Sequence, residues 1–206
     1  MQYCTHCGSP CSDAARFCAA CGSRLAPPAA TVDALTEGYE RLAHGDTEEA
    51  RRSLERALSE TPDQPDVYLG LGVALLRQKE WAGAAGYLER AQALLPTDGV
   101  VHAYLGAARL GQFRVAEARA LLDEALALAP QDFIVRLKRG EFFLRLGFYA
   151  EAVVELQAAV RLPVTEDASR DYARRLLVEA RERAKQSITR RVALPRLTLP
   201  GWLTRE

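Results

Sequence analysis

Beyond Cys21 this chain of 206 residues contains no cysteine, and over its whole length it has three histidines, two tryptophans and one methionine. The missing cysteines remove disulfides and thiolate metal sites from everything that follows Cys21. His6, His44 and His102 are scattered, and none stands in a motif with a Ser or Cys nucleophile, so nucleophilic catalysis has no sequence support. Walker-type and Rossmann glycine patterns are absent, which removes the usual phosphate cradles. No stretch approaches the ~18 consecutive apolar residues of a membrane-spanning helix. The opening Met1-Gln2-Tyr3-Cys4 has neither the charged nor the apolar region of a targeting segment. These absences lead us to expect a non-catalytic protein in the cytoplasm, where thiols stay reduced.

An excess of one charge is also lacking. Lys plus Arg and Asp plus Glu number 27 each, so no global basic field is available to hold nucleic acid. The distribution is uneven, with +1 over residues 1–30, −5 over 31–165 and +4 over 166–206. An apolar content of 49% with 26% charged residues is that of a soluble globular protein.

What the chain does have is a strict internal period: Gly38, Gly72, Gly106 and Gly140 share one frame, Ala50, Ala84, Ala118 and Ala152 a second, and Ala57, Ala91, Ala125 and Ala159 a third. Pro62, Pro96 and Pro130 share a fourth, whose last member falls one position early at Pro163. Small residues are needed where helix backbones cross closely, and proline ends a helix, so these frames describe repeated helix–turn–helix units. The pattern resembles the tetratricopeptide repeat family over residues 31–164, with Leu71-Gly72 and Leu105-Gly106 as its Leu-Gly pairs and Tyr68 as a leading aromatic. Repeats one and four place Glu37 and Arg139 where that Leu is expected, and Leu54, Leu88, Leu122 and Leu156 replace the later aromatic. The expected fold is all-α: a four-repeat solenoid, whose product is a surface for binding other molecules.

All five cysteines lie between Cys4 and Cys21, as Cys4-Thr5-His6-Cys7-Gly8, Cys11, and Cys18-Ala19-Ala20-Cys21-Gly22. Two matched CxxCG knuckles can close one tetrahedral thiolate site, and the glycine after each allows the tight turn that aims backbone N–H groups at sulfur. The segment resembles a zinc ribbon over residues 3–25, which implies a structural Zn held by Cys4, Cys7, Cys18 and Cys21; iron accepts the same four thiolates. So short a segment cannot bury enough apolar surface to fold alone, and the metal is expected to supply the difference. Only Arg16 and Arg24 are basic here, too few for a phosphate-binding face.

The reading divides the chain into a ribbon (1–25), a Pro-containing linker (26–30), four repeats (31–164), a capping helix (165–189) and an apolar tail (190–206). Asp98 and Asp132, like Thr31 and Asp33, stand where first helices should begin, and Gly45 and Gly147 where two of the turns inside repeats should lie. Trp81 and Tyr149, just after such turns, are expected to pack between helices. On the capping helix, Tyr172, Leu176, Ala180 and Ala184 are expected to form the apolar stripe.

The resemblance implies that first helices line the concave, partner-binding face. Mapped onto this chain, the face holds Leu35, Tyr39 and Leu42; Asp66, Leu69, Val73 and Leu76; Val100, Ala103, Tyr104, Ala107 and Leu110; and Leu137, Lys138, Glu141 and Leu144. It is mostly apolar with two tyrosines, which suits a helical or extended apolar peptide of a protein partner. One branch of the family clamps a peptide carboxylate with Lys, Arg and Asn, whereas the corresponding positions here hold Leu35, Tyr39, Gly70, Val100 and Tyr104. Leu197, Leu199 and Trp202 in the tail are costly to leave in water and are expected to dock on the chain itself or on a partner. The function expected is that of an adaptor or scaffold. A structural subunit of a larger complex, or a nucleic-acid-associated factor using ribbon and basic helix together, are the other classes the sequence admits.

Overall fold

The computed structural model describes residues 2–3, 7, 9–11, 20–21, 29–164 and 167–192. They divide into two compact units, residues 1–129 and 130–206. In the first, a two-residue strand β1 (Gln2–Tyr3) pairs antiparallel with β2 (Pro10–Cys11), followed by helices α1 (Ala29–His44), α2 (Thr47–Glu60), α3 (Pro65–Arg77), α4 (Trp81–Leu94), α5 (Gly99–Gly111) and α6 (Val115–Leu128). The second holds α7 (Phe133–Leu146), α8 (Tyr149–Arg161) and α9 (Asp167–Val192). In the first unit α1 pairs with α2, α3 with α4 and α5 with α6, while α2 packs on α3 and α4 on α5. In the second, α7 pairs with α8 and α9 packs on α8. Among the described residues, helical hairpins followed by a terminal helix make the all-α repeat architecture.

The glycine frame has a steric cause. A β-carbon at Gly38 would lie 2.6 Å from Leu54 Cγ, at Gly72 2.5 Å from Leu88, at Gly106 3.0 Å from Leu122 and at Gly140 2.6 Å from Leu156. Each leucine lies on the second helix of the same hairpin, at the interval that separates Leu54 from Gly38, and all four are buried. The eight alanines of the two Ala frames are 0% exposed, which is how close the paired helices come.

Helix ends follow the chemistry of their caps. Asp98 accepts from Val100 N at 2.7 Å and Val101 N at 3.2 Å, and Asp132 from Val135 N at 3.0 Å. Pro65 opens α3, where a missing N–H costs nothing. Helix α1 takes in Ala29 and Ala30, which the sequence assigns to the linker; alanine has the highest helix propensity. Thr31 and Asp33 therefore stand inside the helix and not at its cap.

Every turn inside a hairpin closes in one way. The residues at 45, 79, 113 and 147 share the repeat frame, and all have positive φ: Gly45 at 93°, Lys79 at 65°, Phe113 at 63° and Gly147 at 83°. Their N–H groups bond to Leu42, Leu76, Leu110 and Leu144 carbonyls, and the next residues reach back to Arg41, Leu75, Arg109 and Phe143. This is the paired 5→2 and 6→1 pattern of a left-handed helix cap. Glycine marks it in two hairpins only. Trp81, just after its turn, lies against Gly111, where a β-carbon would stand 2.3 Å from its indole.

Candidate protein-binding face

In the first unit α1 touches α3 and α3 touches α5, so the first helices form one continuous row. Their shared face is built around Tyr39. Its hydroxyl donates to the Asp66 carbonyl at 2.8 Å, tying α1 to α3, and its ring lies over Gly70, where a β-carbon would be 3.4 Å from Cζ. Burial, then the Asp66 carboxylate and Tyr104, push the Tyr39 phenol well above its ordinary pKa, so it stays a neutral donor. The side chain nonetheless keeps 37% of its surface exposed. Leu35, Leu69 and Tyr104 are half-buried against the core, and Ala107 is half-buried beside them on α5.

The other expected positions of this row separate by depth. Leu42, Val73, Ala103 and Leu110 are buried and belong to the core, while Leu76 and Val100 are half-buried and Asp66 is exposed. Tyr87 of α4 packs with Tyr104 against the core of this unit. It is absent from the expected residues, because it comes from a second helix and no frame marks it.

In the second unit the same frame is polar and internally satisfied. Lys138 and Glu141 pair at 3.0 Å, and Tyr172 of α9 donates to Glu141. Burial first, and Glu141 next, push the Tyr172 phenol up to about 12. Leu137 and Leu144 are buried. Arg139, in the place of the expected Leu, meets Glu155 at 3.0 Å, and Arg136 meets the same carboxylate at 2.8 Å. Glu155 is 7% exposed, so two guanidinium groups are what make its burial tolerable.

The apolar stripe of α9 differs from the expectation. Ala173, Leu177 and Ala180 are the buried residues; Leu176 and Ala184 are half-buried, and Tyr172 is 40% exposed. Spacing of strictly four drifts around a helix of 3.6 residues per turn, and the true contact line takes steps of four and three.

Only part of the expected thiolate site falls among the described residues. Gln2 pairs with Cys11 and Tyr3 with Pro10, so the chain reverses between the two strands, and Cys7 Sγ within that reversal lies 3.3 Å from Ser9 Oγ. A tight return around Cys7 is what a metal-binding knuckle requires, and this donor set fits a four-thiolate ion. Cys7 and Cys21 are exposed; Cys4 and Cys18 lie outside the described residues. Among the described residues, no three His, Cys, Asp or Glu side chains converge as ligands. Leu197, Leu199 and Trp202 also lie outside the described residues. No helix among the described residues is long and apolar enough to cross a membrane.

Comparison with known proteins agrees with this geometry. A tetratricopeptide repeat profile matches residues 35–99 and 105–171, and a zinc-ribbon domain profile matches residues 3–25. No curated protein matches the chain. Among solved structures, a thermophilic tetratricopeptide repeat protein of Thermus thermophilus superposes with a TM-score of 0.61 at 22% identity, over 79% of this chain and 95% of that one. The Cut9–Hcn1 hetero-tetramer of APC/C gives 0.60 at 18% identity over 74% of this chain, which spans only 32% of that one. The first repeat domain of Spaghetti (RPAP3), bound to the HSP90 peptide SRMEEVD, gives 0.51 at 22% identity, over 56% of this chain and 92% of that one.

Proposed function

Because the chain belongs to the tetratricopeptide repeat family, we propose that it is a non-catalytic adaptor whose α1/α3/α5 face receives an apolar segment, helical or extended, of a protein partner. The observation that carries this reading is Tyr39: a side chain anchored at its hydroxyl by Asp66, yet exposed along a row of half-buried Leu35, Leu69, Tyr104 and Ala107. Rigid aromatics beside aliphatic side chains are what interface anchors are made of. The Spaghetti domain holds a peptide ending in Glu-Glu-Val-Asp. A basic clamp for such an end is not built from Leu35, Tyr39, Gly70, Val100 and Tyr104, so an apolar ligand is the better fit. Val73 supports the face from below. Lys138 and Glu141, expected at the same face, would contribute only if their pairing with each other and with Tyr172 opened. The N-terminal ribbon holds one zinc ion through Cys4, Cys7, Cys18 and Cys21, a structural role that suits a cytoplasmic protein with reduced thiols.

The test is affinity purification from the source cell with the wild-type chain and a Tyr39→Ala, Tyr104→Ala double variant as baits. Truncating two anchors should weaken capture of specific proteins by about 2 kcal/mol or more, roughly 30-fold, with helical circular dichroism unchanged. Equal recovery by both baits would overturn the assignment of the face.

A further inference from the structure

Residues 29–129 carry 16 acidic and ten basic side chains, so the negative balance of the repeats lies in the first unit. Along the row of first helices the basic side chains are already engaged. Arg41 of α1 pairs with Glu37 at 2.7 Å and with Glu49, and Arg77 of α3 donates to the Leu42 carbonyl. Arg109 of α5 meets Glu89, Gln112 at 2.9 Å and Glu117 at 3.6 Å. Asp66, in the first turn of α3, differs from them: it is exposed, and among the described residues no Lys, Arg or His pairs with its carboxylate. We propose, on the footing that the α1/α3/α5 face is the docking surface, that the partner segment received there carries a basic side chain beside its apolar ones, and that Asp66 selects for it.

The hydrogen-bonding inventory at this point is one-sided. Tyr39 spends its O–H proton on the Asp66 carbonyl at 2.8 Å, so its oxygen has only lone pairs left to offer an incoming group. The Asp66 carboxylate is an acceptor as well, and it stands close enough to Tyr39 to oppose a negative charge on the phenol, as does Tyr104. The Tyr39 ring, 37% exposed, presents a face on which a guanidinium or ammonium group can rest while it reaches Asp66. A carboxylate brought to the same place would meet acceptors and would be repelled. Leu35 and Leu69, half-buried alongside, supply the contact for the apolar side chains of the segment.

An acidic residue in the first turn of a helix also complements the helix dipole, but that contribution is the same whatever the face binds. Binding preference and helix stability therefore separate in experiment. The excess of carboxylates in this unit repels nucleic acid and anionic lipid, the other extended ligands that a charged surface could take. An apolar row with acceptors set into it suits a protein segment in which Arg or Lys stands beside aliphatic or aromatic side chains.

The experiment selects a displayed library of random peptides on the full chain, as wild type and as Asp66→Lys. The wild type should enrich apolar peptides with more Arg and Lys than the input library, and Asp66→Lys should enrich Asp and Glu instead. The strongest wild-type peptide, made synthetically, should bind Asp66→Asn about threefold or more weakly, and that difference should shrink as salt rises. Equal affinity for wild type and Asp66→Asn would overturn the role of Asp66. Peptides without a basic bias that are lost with Tyr39→Ala, Tyr104→Ala would overturn the charge preference and leave the docking face in place. Peptides that bind this double variant as well as the wild type would show that the face itself is wrong, and a library that yields no binder would count against both. The Asp66 side chain is exposed and Tyr39 bonds to its backbone carbonyl, so helical circular dichroism should be unchanged in both Asp66 variants, which separates lost binding from lost fold.

Discussion

Glycine has opposite effects at two positions in the same hairpin. At Gly72 a methyl group would stand 2.5 Å from Leu88 Cγ, at the closest approach of α3 and α4. At Gly86, exposed on α4, it would meet nothing within 4 Å. Gly72→Ala should therefore destabilise by about 1–3 kcal/mol through overpacking. Gly86→Ala should stabilise by about 0.5–1 kcal/mol, because alanine loses less freedom on entering a helix. Urea unfolding of the two variants should move the midpoint in opposite directions, and a common direction would contradict the packing described. Residue-level chemistry also contains an anomaly: Phe113 is 87% exposed and holds a left-handed backbone, although neither its bulk nor its solubility suits that place. Its counterparts in the frame show that the conformation belongs to the hairpin turn and not to the side chain.

Between elements, α7, α8 and α9 are tied by polar side chains, among them Glu155, the buried carboxylate among the described residues. Glu155 with Arg136 and Arg139 ties α7 to α8, and Tyr172 with Glu141 ties α9 to α7. The Tyr172 phenol rises from 10.0 to about 12, so the folded state holds its proton more tightly than the unfolded state does. Its contribution to stability is complete below about pH 10 and is lost as pH rises through about 12. Thermal melts across that window should show Tyr172→Phe losing less stability than the wild type. Phenolate absorbance should show one tyrosine fewer titrating late. Tyr39 also titrates late, so the comparison must be with the wild type at each pH and not with a lower pH alone. Identical alkaline profiles for the two proteins would mean that Tyr172 is not held by Glu141.

For the whole molecule, the proposed zinc site and the repeat core make separate forecasts. Structural thiolate zinc sites contribute on the order of 10–16 kcal/mol to folding, while the repeats have a leucine and alanine core of their own. Metal analysis should find one zinc per chain. Chelation should abolish it with helical circular dichroism essentially retained, and Cys4→Ser with Cys18→Ser should do the same. Loss of helix on chelation would show that ribbon and repeats fold as one body. Zinc retained by the double variant would show that other residues hold it.

The hairpins were legible from the amino-acid order alone. Gly38 with Leu54, and the same pair in each later repeat, are contacts of fixed separation made inside one unit, so each repeat must carry them and the period makes them visible. The ribbon segment over residues 3–25 is legible for a related reason: two CxxCG motifs are local and compositionally distinctive. Packing settled whatever depends on a neighbour of different sequence. Val73 is core and Leu69 half-buried, although both are apolar and lie on one helix face, because depth depends on what packs beside them. Lys79 and Phe113 adopt the turn that Gly45 announces, because the helices they join must reverse at that point whatever residue stands there. Helix α9 turns Ala173 and Leu177 inward in place of Tyr172, since a helix meets its support along a line of 3.6-residue turns, and a spacing of four only approximates that line.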